Sequence, residues 1–274
     1  MDNEQYIHGY TKTEHDRLIH QARTLEPFLH KNINLSDVSN ALEIGCGVGA
    51  QMAILTDKYP ETKFSGIDIS HENIKDAEIL LHENISKGHV KLQQANGKSL
   101  PYPDETFDGI VMFFVLEHVS DPLAILREAN RVLKPSGKIY CTEVVNSNII
   151  GFPESRIILD YLYKLNELQR QSGGDPDIGV KLGGLFHNTG FTGLDIYDAS
   201  VMIDARTQSY IEREKIVKNW ISVFLSVSDT LIQNGMDASI KKTIHEEFEK
   251  YLHNKQSVFV YAAKQIKGVK PTKK

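Results

Sequence analysis

The sequence predicts an α/β fold that is built around a parallel β-sheet. Between residues 38 and 145, short runs rich in β-branched residues alternate with longer stretches of helical period, which is typical of strand–helix units. A glycine-rich turn follows the first predicted strand directly, at a junction where such sheets bind ligands. The 274 residues, 41% of them hydrophobic, suffice for a large core. We therefore expect residues 1–274 to form a single domain.

The periodicity predicts seven strands and five helices around them. The strands cover residues 41–44, 63–68, 90–94, 107–113, 137–145, 194–203 and 257–263. The helices cover residues 13–29, 50–58, 71–86, 121–133 and 178–188. The helix at 121–133 has the clearest start, because Asp121 can cap its first turn and Pro122 suits the first helical position.

Two further helical blocks are predicted at residues 150–175 and 205–254. Each block has one apolar face. In the second block the residues of this face are Ile240, Ile244, Phe248 and Leu252. Such a face needs a partner surface, so we expect both blocks to form a helical lid over one edge of the sheet. The lysine-rich residues 265–274 are predicted to be a flexible basic tail.

The composition excludes several classes of protein. Lysine and arginine number 31 against 36 aspartates and glutamates, a net charge of −5, which argues against nucleic acid as the main partner. Cys46 and Cys141 are too few for a disulfide framework or a cysteine-rich zinc site, and the 11 histidines have no companions at ligand spacing. We therefore predict no metal site. A polar start and the lack of a long apolar run predict a cytoplasmic protein without membrane insertion.

The segment ALEIGCGVG, residues 41–49, runs from a predicted strand into the glycine-rich turn. Glycine lets a nucleotide-like ligand approach the backbone, because a Cβ there would block it. Asp68 stands 19 residues after Gly49, at the end of the next predicted strand, where a carboxylate can accept hydrogen bonds from both ribose hydroxyls. The alternative without a ligand is a tight strand–helix turn followed by an exposed aspartate.

A dinucleotide such as NAD is one candidate ligand, because Gly45, Gly47 and Ala50 satisfy the loose dinucleotide-binding pattern. Three features oppose it. Glu43 would put a negative charge near the pyrophosphate, and no second mononucleotide-binding half is visible. The later strands also carry a different set of motifs.

These motifs are LEIGCGVGAQ, FSGIDIS, LPYPDETFDGIV and LEHVSDPLAILREANRVLKPSGKIY. In order and spacing they resemble the successive motifs of class I S-adenosylmethionine-dependent methyltransferases, most closely the branch of ubiquinone, menaquinone and small-molecule methyltransferases. The resemblance implies a Rossmann-like, seven-stranded, mostly parallel sheet with an N-terminal helix and a helical lid. It also implies that residues 38–145 form the core that binds the cofactor S-adenosyl-L-methionine.

The resemblance assigns the methionine end of the cofactor to the first strand and its turn. The backbone that would fit around it belongs to Gly45, Cys46, Gly47 and Gly49. Glu43 would attract the ammonium group, and Phe113 would contribute its backbone at the end of the fourth strand. Near the N-terminal helix, Tyr6, Tyr10 and Gln21 are either contacts of the methionine carboxylate or ordinary surface residues.

The resemblance assigns the adenosine end to the second and third strands. Asp68 would hold the ribose diol, and Ile69 would pack on the adenine. Ala95 and Asn96 match a family step in which a side chain and a backbone amide read the adenine edge. Asn96 departs from the aspartate of that step, but its amide can still donate or accept a hydrogen bond.

His118 follows the fourth strand and is the weak candidate for a catalytic residue. It is either a general base or acceptor-orienting group, or a structural residue, so the catalytic residue stays open. The predicted function is transfer of a methyl group to a small-molecule acceptor by in-line displacement. The alternatives are a methyltransferase that acts on tRNA or protein, and a cofactor-binding protein without catalysis. The acceptor and the oligomeric state are left open.

Overall fold

The computed structural model describes residues 12–272 and contains two β-sheets flanked by helices. The strands are β1 Asn40–Ile44, β2 Lys63–Asp68, β3 Val90–Gln94, β4 Phe107–Phe113, β5 Leu133–Val144, β6 Ile150–Phe152, β7 Thr192–Asp198, β8 Val201–Asp204, β9 Val258–Tyr261 and β10 Ala263–Val269. The helices are α1 Lys12–Leu29, α2 Ala50–Lys58, α3 His71–Leu80, α4 His82–Ser86, α5 Pro122–Val132, α6 Arg156–Gln171, α7 Leu182–Asn188, α8 Tyr210–Ser226, α9 Ser228–Gln233 and α10 Ile240–His253. Short 3-10 turns cover Leu116–His118, Asn146–Asn148 and Ile178–Lys181.

The main sheet has seven strands in the order β3-β2-β1-β4-β5-β10-β7. The strand β1 pairs in parallel with β2 on one side and with β4 on the other. The strand order therefore reverses next to β1, and at such a point the connections diverge and leave a crevice at the carboxyl ends of the strands. The predicted seven-stranded, mostly parallel α/β sheet is confirmed, with β10 antiparallel to both of its neighbours.

The strand β10 shows that the prediction of a flexible basic tail at residues 265–274 is wrong for residues 265–269. It lies between β5 and β7, and both Gln265 and Ile266 are fully buried. Its lysines suggested a solvated tail, but they pair with aspartates of β7, as Lys264 does with Asp198 at 3.3 Å. Composition indicated exposure here, whereas backbone hydrogen bonds to two neighbouring strands determine the position of the segment.

A second sheet has three antiparallel strands in the order β6-β9-β8. The lid segment at residues 150–175 is therefore not purely helical, because it begins with β6. The predicted strand at 194–203 is divided between the two sheets, and the one at 257–263 supplies β9 to the small sheet. At the division, the Ser200 hydroxyl donates a hydrogen bond to Asp198 Oδ1 at 2.6 Å. A local turn of this kind can interrupt a run that looks continuous in sequence.

Helices α6, α8 and α10 pack on the small sheet through an aromatic cluster. The buried members of this cluster are Tyr161, Trp220, Phe224, Phe248 and Phe259. Large aromatic side chains bury much apolar surface, so the cluster joins the three helices to β9. Helix α8 also contacts the N-terminal helix α1, which brings helices from both ends of the chain to the same side of the main sheet.

Two predicted helices differ in detail from the structure. The helix predicted at 71–86 is interrupted at Leu81, between α3 and α4, and the first turn of the one at 178–188 is a 3-10 turn. Such differences at element boundaries are common, because helix ends are weakly specified by sequence. None of the helices within residues 12–272 is long and apolar enough to cross a membrane.

Candidate active site

A cavity of about 290 Å³ lies between the carboxyl ends of the central strands and a roof that consists of helices α1, α6 and α8. The sequence-predicted residues that line it are Gln21, Glu43, Gly45, Cys46, Gly47, Asp68, Ile69, Ala95, Asn96, Phe113 and His118. Gly49 does not line the cavity, and Tyr6 and Tyr10 lie outside the described residues. The cavity therefore brings together residues from separate strand ends and from the N-terminal helix.

The three glycines of the turn after β1 have different surroundings. Their φ angles are +71° at Gly45, +51° at Gly47 and +78° at Gly49, values that other residues rarely adopt. A Cβ on Gly45 would lie 2.6 Å from Val115, and one on Gly49 would lie 2.8 Å from Leu81. A Cβ on Gly47 would meet no atom of the described residues within 4 Å. Gly47 thus leaves room for a ligand, whereas Gly49 packs α2 against the end of α3, so its predicted role as a cofactor contact stays a prediction.

Asp68, at the end of β2, accepts three hydrogen bonds. Its Oδ2 accepts from the backbone N–H of Gly47 at 2.9 Å. Its Oδ1 accepts from the backbone N–H of Ser70 at 2.9 Å and from the Asn73 side-chain amide at 3.1 Å. Burial raises the pKa of Asp68, and these hydrogen bonds oppose the rise. A carboxylate has about four acceptor sites, so one site on Oδ2 is left for a ligand hydroxyl.

Glu43, near the end of β1, is a buried carboxyl group with unused hydrogen-bonding capacity. It is 1% exposed, and its Oε2 has no hydrogen-bond partner within residues 12–272. Burial and the charge of Asp68 raise the pKa of Glu43 well above its ordinary value. An unpaired buried carboxylate is costly, so the position suits a ligand cation.

Cys46 lies in the glycine turn and is buried. Burial and the neighbouring carboxylates of Glu43 and Asp68 raise the pKa of the Cys46 thiol. A thiol in such surroundings stays protonated at neutral pH and is a poor nucleophile. Its side chain therefore fills space beside the turn.

The part of the cavity beyond Asp68 combines an apolar surface with an amide. Ile69, directly after β2, is 59% exposed. The backbone N–H of Ala95 donates to the Asp68 carbonyl oxygen at 2.9 Å, and Asn96 Oδ1 accepts from the backbone N–H of Lys98 at 2.9 Å. These bonds fix the end of β3 and the Asn96 amide, so an apolar surface and a polar edge lie where a planar heteroaromatic ring can use both.

Helix α1 contributes a buried ion pair that the sequence analysis missed. Arg17 Nε donates to Glu14 Oε2 at 2.7 Å, and Arg17 Nη1 donates to Gln21 Oε1. Arg17 lines the cavity and is 9% exposed, and Glu14 is 3% exposed. Their spacing in the sequence could have indicated this pair, because Glu14, Arg17 and Gln21 share a helix face with Leu18 and Leu25. The roof therefore carries a cation as well as apolar side chains.

The chain turns sharply at the end of β4. The ring of Phe113 stacks on His30, with their centroids 5.2 Å apart. The next residue, Phe114, has a φ of +56°, which is rare for a residue other than glycine and is often found at functional sites. This turn directs the following residues along the cavity.

The turn after β4 is held by Glu143, a buried residue of β5 that the sequence analysis did not select. Its carboxylate accepts hydrogen bonds from the backbone N–H groups of Val115 at 2.9 Å, Leu116 at 2.7 Å and Glu117 at 3.2 Å. Burial and the nearby Glu117 raise the pKa of Glu143, and the three amides oppose the rise. The turn brings Glu117 and His118 to the cavity wall.

The far side of the cavity is formed by α6, α8 and β9. Leu165, Trp220 and Tyr261 line this side. The rings of Trp220 and Tyr261 stack with centroids 4.0 Å apart and an interplanar angle of 19°, and the Tyr261 hydroxyl donates to Asn146 Oδ1 at 3.0 Å. Within residues 12–272, no group of three His, Cys, Asp or Glu side chains is arranged to hold a metal ion.

Comparison with known proteins identifies the family. A family model described as a methyltransferase domain matches residues 42–141. The chain is 35% identical over 123 residues to the demethylmenaquinone methyltransferase of Anoxybacillus flavithermus, which covers 44% of this chain and 52% of that protein. It is 30% identical over 163 residues to the demethylmenaquinone methyltransferase of Bacillus licheniformis, which covers 56% of this chain and 69% of that protein. The chain belongs to the class I S-adenosylmethionine-dependent methyltransferases.

A solved structure agrees with this family fold, and the resemblance inferred from the sequence motifs is confirmed. Phosphoethanolamine N-methyltransferase 2 of Haemonchus contortus, solved in complex with S-adenosyl-L-methionine, matches with a TM-score of 0.57 and 15% identity. The match covers 91% of this methyltransferase and 53% of that chain, and at this identity it concerns the fold alone. The alignment with the first curated relative likewise spans about half of that relative's length. The cofactor of the family is S-adenosyl-L-methionine.

Proposed function

We propose that this chain transfers a methyl group from S-adenosylmethionine to a small-molecule acceptor. The main support is the roofed cavity, which extends from Gly47 and Asp68 to Trp220 and Tyr261. An acceptor that reacts there has to fit beneath the roof, which favours a small molecule over folded RNA or protein. The net charge of −5 also offers no support for a nucleic-acid substrate.

The lining of the cavity fits a cationic cofactor. Among residues 12–272, three carboxylates line it, those of Glu43, Asp68 and Glu117, against the two permanent cations of Arg17 and Lys98. The unpaired Oε2 of Glu43 suits an ammonium group, and the open space beside Gly47 suits a ligand that follows the backbone closely. These features agree with the chemistry of S-adenosylmethionine.

We assign the cofactor contacts from these features. The residues proposed for the methionine end are Glu43, Gly45, Cys46, Gly47 and Phe113, with Arg17 and Gln21 for its carboxylate. The residues proposed for the adenosine end are Asp68 for the ribose and Ile69, Ala95 and Asn96 for the adenine. The Asn96 Nδ2 is the donor in this assignment, because its Oδ1 is already engaged by the backbone of its own turn.

When bound, S-adenosylmethionine supplies a sulfonium-activated methyl group. The protein then has to bind the acceptor, hold it in line and exclude water. The turn that carries His118 and the roof helices perform these tasks in our proposal. His118 remains the candidate for orienting the acceptor.

Calorimetry with S-adenosylhomocysteine and transfer of labelled methyl groups test this proposal. We expect S-adenosylhomocysteine to bind, and label to appear in a small-molecule fraction when cell extract, tRNA and bulk protein are offered separately. Binding of NADH without binding of S-adenosylhomocysteine would contradict the cofactor assignment. Label that appears only in tRNA or protein would contradict the small-molecule acceptor.

A further inference from the structure

Glu117 lines the cavity, and none of the proposed cofactor contacts uses it. It lies in the turn after β4 and is 7% exposed. A carboxyl group that is nearly removed from solvent needs polar partners, because its desolvation is costly. The partners of Glu117 therefore indicate what its side chain can bind.

The backbone of Glu117 is fixed from three directions. Its N–H donates to the carboxylate of Glu143 at 3.2 Å. Its carbonyl oxygen accepts from the backbone N–H of Asp175 at 2.8 Å and from Gln169 Nε2 at 3.1 Å. A Cβ on Gly174 would lie 2.4 Å from this oxygen, so the neighbouring loop packs directly on it. The residue is held in one position before any ligand arrives.

The carboxylate of Glu117 has more acceptor capacity than the described residues, 12–272, use. Its Oε2 accepts one hydrogen bond from Gln169 Nε2 at 2.8 Å. Its Oε1 lies 3.7 Å from His118 Nε2, which is longer than a hydrogen bond. A buried carboxylate with a single neutral donor is poorly compensated, and a donor group on a ligand in the cavity would supply the missing partner.

The surroundings of Glu117 indicate the rest of that ligand. Leu165, Trp220 and Tyr261 form the neighbouring wall, and the Tyr261 hydroxyl is already engaged with Asn146. We propose that Glu117 is a specificity-determining residue, which selects acceptors that carry an O–H or N–H group on a mostly apolar body. This inference rests on the proposed function, because it concerns the acceptor side of the same cavity.

The test compares three probes that differ in one group: 1-naphthol, 1-naphthylmethylamine and 1-methylnaphthalene. Their binding to protein saturated with S-adenosylhomocysteine is followed by NMR through the indole N–H signal of Trp220, the single tryptophan of the chain. We expect at least one of the two donor probes to bind about tenfold more tightly than 1-methylnaphthalene. An advantage confined to one of them supports the inference and identifies the donor.

The variants Glu117→Gln and Glu117→Leu separate charge from hydrogen bonding. We expect Glu117→Gln to remove the advantage of the amine and to reduce that of the naphthol, and Glu117→Leu to remove both. If the leucine variant does not fold, the affinities of the isosteric glutamine variant for the three probes test the inference on their own. The control Glu83→Gln changes an exposed carboxylate of α4 and should leave all three affinities unchanged.

Two results overturn the inference: no preference for a donor probe in the unaltered protein, or a preference that both Glu117 variants retain. Failure of the proposed function looks different, because S-adenosylhomocysteine itself would then not bind in calorimetry. Normal binding of S-adenosylhomocysteine without a donor preference contradicts the role of Glu117 alone.

Discussion

At the scale of single residues, a substitution at Gly47 should have two separate effects, one on the stability of the protein and one on the affinity for the cofactor. In Gly47→Ala, the left-handed backbone should cost about 1–2 kcal/mol of stability. The new Cβ should enter the cavity and lower the affinity for S-adenosylhomocysteine about tenfold or more, since 1.4 kcal/mol of lost contact suffices for that factor. Urea unfolding and calorimetry measure the two effects.

The matched control for this variant is Gly88→Ala. Gly88 has a φ of +74°, and a Cβ there would meet no atom of residues 12–272 within 4 Å. It lies before β3 and does not line the cavity. We expect the same loss of stability and an unchanged affinity. An equal loss of affinity in both variants would mean that strain, and not the space beside Gly47, controls binding.

Glu43 should couple cofactor binding to pH. Its pKa is raised in the free protein, and an ammonium group beside it would stabilise the carboxylate and lower that pKa. Binding then releases a proton, so the affinity rises with pH between the lowered and the raised value. Calorimetry of S-adenosylhomocysteine in buffers of different ionisation enthalpy measures this release. Proton release that persists unchanged in Glu43→Gln contradicts the assignment.

The Glu43 carboxyl group should also make the stability of the free protein depend on pH, but here the stability falls as pH rises, whereas the affinity for the cofactor increases. A raised pKa means that the folded protein holds more protons than the unfolded chain between the two pKa values. The free energy of unfolding therefore falls as pH rises through this range. Glu143 and Asp68 also have raised pKa values, so Glu43→Gln should flatten the pH curve of urea unfolding only in part.

Of the residues that line the cavity, the sequence predicted those that belong to contiguous motifs and missed those that depend on packing. Glu43, Gly47 and Asp68 stand at strand ends whose spacing is visible in the chain. Glu117 is adjacent to His118 in sequence, but its importance comes from Gln169, which α6 brings to it. Arg17 is likewise significant because α1 lies over the strand ends. Such contacts over long sequence separation leave no local pattern.

At the scale of elements, the helical lid stays a prediction that amide hydrogen exchange can test. Its helices α6 and α8 form part of the roof, so a ligand beneath them should slow exchange in both when S-adenosylhomocysteine and a donor probe are added together. The outer strand β7 serves as the internal control and should not change. If protection increases only around residues 43–49, 68 and 95–96, the helices are a rigid accessory and the lid prediction is wrong.

The strands of the N-terminal half were easier to predict than those of the C-terminal half. Parallel strands are buried on both faces and appear as short apolar runs, as β1 and β4 do. The later strands carry lysines and aspartates that neutralise one another, and two neighbouring runs belong to different sheets. The hydrophobic pattern of a sequence indicates which residues are buried, but it does not indicate which of two sheets a strand joins.

At the scale of the whole molecule, the cavity depends on segments from almost the entire described chain. Its floor comes from the strand ends between Glu43 and Phe113, and its roof from α1 together with helices that follow β5. If the acceptor binds in this cavity, as we propose, its binding requires α1, the sheet and the helices α6 and α8 to be folded together. The three helices and β9 share one aromatic cluster, which is consistent with this dependence.

The position of β10 in the main sheet determines how long one edge of β5 stays unpaired while the chain is being synthesised. β5 ends at Val144 and its outer neighbour begins at Ala263, so the ribosome has to finish the intervening segments before that edge of the sheet can close. At about 5–20 residues per second, the interval lasts roughly 6–24 seconds. An unpaired apolar edge is a template for pairing with another polypeptide, so during this interval the free edge of β5 is open to such pairing.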